Sequence, residues 1–113
     1  MHEMSLCRSI LETLQEQARL QQFSRVDRVL LEIGPFAGVE IQALRFGFDV
    51  VTRGSLAAEA SLEIVEQPAQ AWCRACADTV PIIERFDPCP RCGGHDLKVT
   101  AGDALRIKEL EVA

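Results

Sequence analysis

The sequence predicts a small α/β (α+β) protein. Its order is helix–strand–helix–strand–strand, with a cysteine-rich lobe inserted before the last strand. Three observations carry this reading. Two segments repeat apolar residues at three- and four-residue steps, while three others alternate. Four of the five cysteines and three of the five prolines crowd between Pro68 and Gly102. The 113 residues are 48% hydrophobic and 26% charged, an ordinary globular balance. The expected division is 1–67 plus 102–113 for the α/β scaffold and 68–101 for the lobe.

Residues 5–22 read as an amphipathic helix: Met4, Cys7, Ile10, Leu11, Leu14 and Ala18 form one stripe, with Ser5 as the expected N-cap. Residues 26–33 read as a strand in which Val29, Leu31 and Ile33 alternate, stopped by Gly34-Pro35. Residues 40–52 return to helical spacing through Ile41, Leu44, Phe48 and Val51, ending at Arg53-Gly54. Residues 60–67 alternate around Leu62 and Ile64 and stop at Pro68. In the last strand Leu105 and Ile107 alternate, but the next apolar pair is Leu110 and Val112. That slip of one residue predicts a bulge near Lys108-Glu109, or a frayed end.

No apolar run reaches membrane-spanning length, and the N-terminus lacks the basic and apolar regions of a signal peptide. The expected location is the cytoplasm, where cysteines stay reduced. The net charge of −5 disfavours nucleic acid, because phosphate binding needs a basic patch. No glycine-rich phosphate loop, nucleophile elbow or Cys–His pair is present, so no enzymatic constellation is legible.

Cys73-Arg-Ala-Cys76 and Cys89-Pro-Arg-Cys92 are two C-x-x-C pairs separated by twelve residues. Each such turn aims two sulfurs at one point, and two turns complete a tetrahedron about 2.3 Å from Zn²⁺. Four thiolates saturate zinc and leave no place for water, so the role is structural. A rubredoxin-like iron redox site and a disulfide within each pair are the other outcomes of this spacing. With zinc bound as four thiolates, the formal charge moves from −5 to −7. His95 reads as an exposed loop residue, and Cys7 as a buried, inert thiol. Trp72, the one tryptophan, adjoins Cys73 in a chain without tyrosine.

The second candidate site is Met1-His2-Glu3. The Met1 α-amine, the His2 amide nitrogen and the His2 imidazole Nδ1 can chelate one ion in two fused rings. Glu3 can supply a fourth donor. Planar nitrogen–oxygen sets of this kind suit Ni(II) or Cu(II), not Ca²⁺ or Mg²⁺.

Several marks recur in order along the whole chain. They are Met1-His2-Glu3-Met4-Ser5-Leu6, Leu31-Glu32-Ile33-Gly34, Gly38-Val39-Glu40 and Ala43-Leu44-Arg45-Phe46. They continue with Phe48-Asp49-Val50-Val51, both cysteine pairs and Gly102-Asp103-Ala104-Leu105-Arg106-Ile107. Together they resemble the HypA/HybF family of hydrogenase nickel-incorporation proteins, with Pro68–Cys73 looking nearest to the HybF branch. The resemblance implies nickel ligation by His2, assisted by Glu3 and Met1, and structural zinc on Cys73, Cys76, Cys89 and Cys92. It also implies a nickel metallochaperone, not an enzyme, that serves the [NiFe]-hydrogenase large-subunit precursor with a HypB-type GTPase as partner. The implied fold is a nickel domain carrying an inserted zinc ribbon. A zinc-ribbon adaptor without nickel is the rival reading. This chain departs from the family pattern at Phe36-Ala37, Ile41-Gln42 and Gly47.

Overall fold

The computed structural model of the chain describes residues 3–113. Its elements run α1 (Glu3–Gln21), β1 (Val26–Ile33), α2 (Ile41–Val51), β2 (Ser61–Glu66), β3 (Ala69–Cys73), β4 (Asp78–Ile82), β5 (Leu97–Ala101) and β6 (Leu105–Val112). The strands form two three-stranded sheets, ordered β2–β1–β6 and β4–β3–β5. The α+β class is as expected. The three lobe strands escape periodicity because each is only five residues long, with two or three inward positions, and those of β3 are small: Ala69, Ala71 and Cys73.

The chain divides into two compact units. The first holds residues up to Leu31, Val39–Ile64 and Ile107–Ala113. Here α1 packs on α2 and buries Cys7, Ile10 and Leu14, three positions of the predicted stripe. The predicted N-cap is wrong. The helix is already under way at Glu3, so Ser5 lies inside it, and its carbonyl accepts the Ser9 hydroxyl at 3.1 Å. Gln22, at φ 59°, turns the chain out of the helix.

Glu40 caps α2. Its carboxylate accepts the Gln42 N–H at 3.2 Å and the Ala43 N–H at 2.6 Å. Because the cap bonds backbone groups, Ile41-Gln42 leaves the helix start intact. Gly47 also has a packing reason: a Cβ there would lie 3.0 Å from both Met4 Sδ and Cys7 Sγ. Thr52 closes the helix, its hydroxyl donating to the Phe48 carbonyl at 2.7 Å.

Of the two outcomes expected for β6, a bulge near Lys108-Glu109 or a frayed end, the frayed end does not occur, since Arg25 and Ala113 exchange both backbone hydrogen bonds, at 3.2 and 2.9 Å. The slip in pattern survives as burial: Ile107 and Leu110 are half-buried, with Lys108 and Glu109 exposed between them. Arg28 gathers Glu63, Glu109 and Glu111 into an ion-pair network.

The second unit comprises Glu32–Gly38 and Val65–Arg106. β3 is its central strand, paired antiparallel with β4 in the register Ala71↔Val80 and with β5 in the register Ala71↔Val99. Ala69, Ala71 and Ile82 form an apolar cluster joined by Phe36, Leu97 and Val99. A second cluster contains Cys73, Val80 and Cys89.

Two glycines allow a close backbone crossing. A Cβ on Gly34 would fall 2.1 Å from the Gly102 carbonyl oxygen, and Gly102, at φ +113°, abuts Ala69. The Phe36 N–H donates to the Gly102 carbonyl at 2.7 Å and the Gly34 N–H to the Ala104 carbonyl at 2.9 Å. Backbone on both sides cannot yield as a side chain would. Gly34→Ala is therefore expected to cost about 3 kcal/mol or more and to lower the melting temperature by roughly 12 °C or more. An unchanged thermal transition by circular dichroism would contradict this crossing.

Candidate metal centre

The cysteine site is built at the ends of short strands. Cys73 closes β3, and the turn through Cys76 and Ala77, at φ 51°, leads into β4. The second turn is closed by backbone hydrogen bonds. Cys89 N–H donates to the Gly94 carbonyl and Gly93 N–H to the Cys89 carbonyl, both at 2.8 Å. Gly93, at φ +74°, supplies the left-handed residue that this turn requires.

All four sulfurs lie within 4.8 Å of one another. The close approaches are Cys73–Cys92 at 3.7 Å and Cys76–Cys89 at 3.9 Å. A tetrahedron with sulfurs about 2.3 Å from its centre has edges of about 3.8 Å. The donor set therefore fits one tetrahedral, thiolate-preferring metal ion. Backbone amides face the sulfurs as well. Cys76 N–H points at Cys73 Sγ (3.5 Å), Arg91 N–H at Cys89 Sγ (3.4 Å) and Gly94 N–H at Cys92 Sγ (3.4 Å).

These contacts favour thiolate on some sulfurs over others. Cys89 is pulled down to about 6, first by the Cys92 backbone N–H and also by that of Arg91. Cys76 is pushed up to about 12, first by its hydrogen bond with Cys92 and then by that with Cys73. Each turn carries an arginine, Arg74 and Arg91, and Arg91 places positive charge beside the Cys76 and Cys89 sulfurs. Arg91 pairs with Asp78 at 2.6 Å and holds the Asp78 carboxyl below its usual range. Arg74 lies 3.5 Å from Asp96. Cys73 and Cys89 are buried, Cys76 is half-buried and Cys92 is exposed.

Of the N-terminal candidate, Met1 and His2 lie outside the described residues. Glu3 opens α1, and its carboxylate accepts the Glu40 N–H at 3.2 Å. Sequence reasoning missed this link, although Val39-Glu40 before an apolar run was a visible helix-start signal. Cys7 is fully buried and its thiol donates to the Leu44 carbonyl at 3.3 Å. Burial pushes this thiol up, and the nearby Glu3 charge adds to the shift, so it is a poor nucleophile. His95 is exposed, beside a shallow depression lined by Ile82, Phe86 and Leu97. Among the described residues no helix is long and apolar enough to cross a membrane.

Fold and site together define a small α+β protein with a zinc-ribbon-like centre of four cysteines. Residues 1–112 match the family described as hydrogenase/urease nickel incorporation, metallochaperone, hypA. The chain belongs to that family. It is 56% identical over 112 residues to the hydrogenase maturation factor HypA of Beijerinckia indica subsp. indica, covering 99% of each chain. It is 58% identical over 112 residues to the factor of the same name from Azotobacter chroococcum, again covering 99% of each. Its fold is similar to the solution structure of the Ni metallochaperone HypA from Helicobacter pylori. That likeness has a TM-score of 0.76 and 24% identity, over 99% of this chain and 97% of that one.

Proposed function

We propose that this protein is a nickel metallochaperone for hydrogenase maturation. The observation that carries the reading is the family match across residues 1–112, and the chelating Met1-His2-Glu3 terminus supports it. His2 binds Ni²⁺ through its imidazole and amide nitrogens, with the Met1 amine and Glu3 completing the set. Cys73, Cys76, Cys89 and Cys92 hold a structural Zn²⁺ that keeps the ribbon folded and exchanges no ligand. The nickel domain expected at 1–67 plus 102–113 and the ribbon expected at 68–101 correspond to the two compact units, except that residues 32–38, 65–67 and 102–106 go with the ribbon. Nickel is cargo: it leaves by ligand exchange to the [NiFe]-hydrogenase large-subunit precursor, with a HypB-type GTPase as partner. No covalent catalysis is involved, and the work is done in the cytoplasm.

Metal content and nickel titration of untagged protein test the proposal. Zinc near one per chain is expected, with a separate nickel site that is lost when residues are added before Met1 and the α-amine is blocked. Equal nickel affinity with and without the extension would overturn the site.

A further inference from the structure

We propose that Cys92 is an oxidation site at which hydroperoxides open the cysteine centre, with Cys73 as its disulfide partner across the two turns. The proposal rests on the zinc reading above and adds a reaction to it.

Three observations single out this pair. Cys92 is the exposed member of the four, while Cys73 and Cys89 are buried and Cys76 half-buried. Small oxidants therefore reach Cys92 first, because oxidation of cysteine follows access to the sulfur. The space beside it is open, since a Cβ on neighbouring Gly93 would meet nothing within 4 Å. Finally, two close sulfur–sulfur approaches cross the centre: Cys92 faces Cys73 at 3.7 Å, and Cys76 faces Cys89 at 3.9 Å. An oxidised Cys92 thus has a sulfur of the opposite turn, that of Cys73, within 3.7 Å.

The chemistry balances with a hydroperoxide as the oxidant. The Cys92 thiolate attacks one peroxide oxygen. An S–O bond forms, the O–O bond breaks, and the departing hydroxide takes up a proton as water. The Cys73 thiolate then attacks the Cys92 sulfur. An S–S bond forms, the S–O bond breaks, and the second hydroxide leaves as water. Two thiolates, one hydrogen peroxide and two protons give one disulfide and two waters, and two electrons pass from sulfur to oxygen. The sulfurs must close from 3.7 Å to about 2.05 Å. The glycine pair Gly93-Gly94 gives the Cys92 turn the freedom to make that move. A metal left with two thiolates is released. Cys76 and Cys89 then pair in a second, equivalent step.

The experiment uses the untagged full chain after its zinc has been quantified. Hydrogen peroxide is added in increments, released zinc is followed with a chromogenic chelator, and free thiols are trapped for peptide mass mapping. The Cys73–Cys92 linkage is expected first, rising in step with zinc release, and a thiol reductant with added zinc should restore the starting state. The Cys7→Ser variant should give the same products at the same rate. A first linkage within either C-x-x-C pair overturns the proposal, as does Cys7 in the first disulfide or a Cys92 that reacts no faster than Cys73. Absence of zinc before peroxide is added overturns instead the zinc reading on which the proposal stands.

Discussion

Stripping the metal from the four-cysteine centre is expected to unfold the unit containing β3, β4 and β5 while α1 and α2 stay helical. The reason is the small apolar content of that unit. The inward residues of β3 are Ala69, Ala71 and Cys73, and two of the four sulfurs are themselves buried. Structural zinc contributes about 10–16 kcal/mol of apparent binding free energy at neutral pH. That matches or exceeds the roughly 5–15 kcal/mol by which whole domains are stable, so removing it leaves the ribbon without net stability. Amide hydrogen exchange checks this directly: protection should vanish across β3–β5 and persist in α1 and α2. Trp72 gives a simpler readout. It stands on β3 beside Cys73, paired with Thr79 and Lys98, and no tyrosine competes with its emission. Its emission should change on chelation, and unchanged emission with lost protection would break the coupling. The pH dependence has a definite sign. Metal binding requires deprotonated ligands, so the stabilisation is present at neutral pH and is lost on acidification. Cys89, drawn down to about 6, already follows that direction, whereas Cys76, pushed up to about 12 by its hydrogen bonds with Cys92 and Cys73, needs the metal to lose its proton.

The second large effect concerns cargo. His2→Ala is expected to lower nickel affinity by more than the roughly 10–100-fold that follows loss of a ligand's hydrogen-bonding support. It removes a first-sphere donor and one of two fused chelate rings together. Calorimetric titration of untagged protein measures this, and an affinity within threefold of the parent would rule His2 out. Glu3→Gln should cost less. The amide oxygen still accepts the Glu40 N–H, the 3.2 Å bond that ties α1 to the start of α2. Copper should bind the same donors more tightly than nickel. Discrimination between the two metals is then expected to come from supply and partners. Proton competition makes nickel binding, like zinc binding, weaken as pH falls.

Particular residues show why some elements were legible in the chain and others were not. Cys7, Ile10 and Leu14 are large or buried enough, at helical spacing, to announce α1. Val29, Leu31 and Ile33 do the same for β1 at a spacing of two. The C-x-x-C pairs announced their site because four sulfurs at those intervals have few uses other than a metal. By contrast, β3, β4 and β5 are five residues each, so Val80 and Ile82 in β4 and Leu97 and Val99 in β5 alternate only once, and β3 turns inward alanine and cysteine. Ser5 drew the N-cap assignment by residue type, yet the helix begins before it.

What the sequence determined by itself is the α+β order, the apolar stripes of α1 and β1, and the two cysteine pairs that share one site. All three depend on residue type and near-neighbour spacing. Only the tertiary structure decided which sulfurs face each other, that Glu3 receives the Glu40 N–H, and that Gly34 must pass Gly102 without a side chain. Those facts depend on contacts between residues far apart in the chain, and no local pattern encodes them.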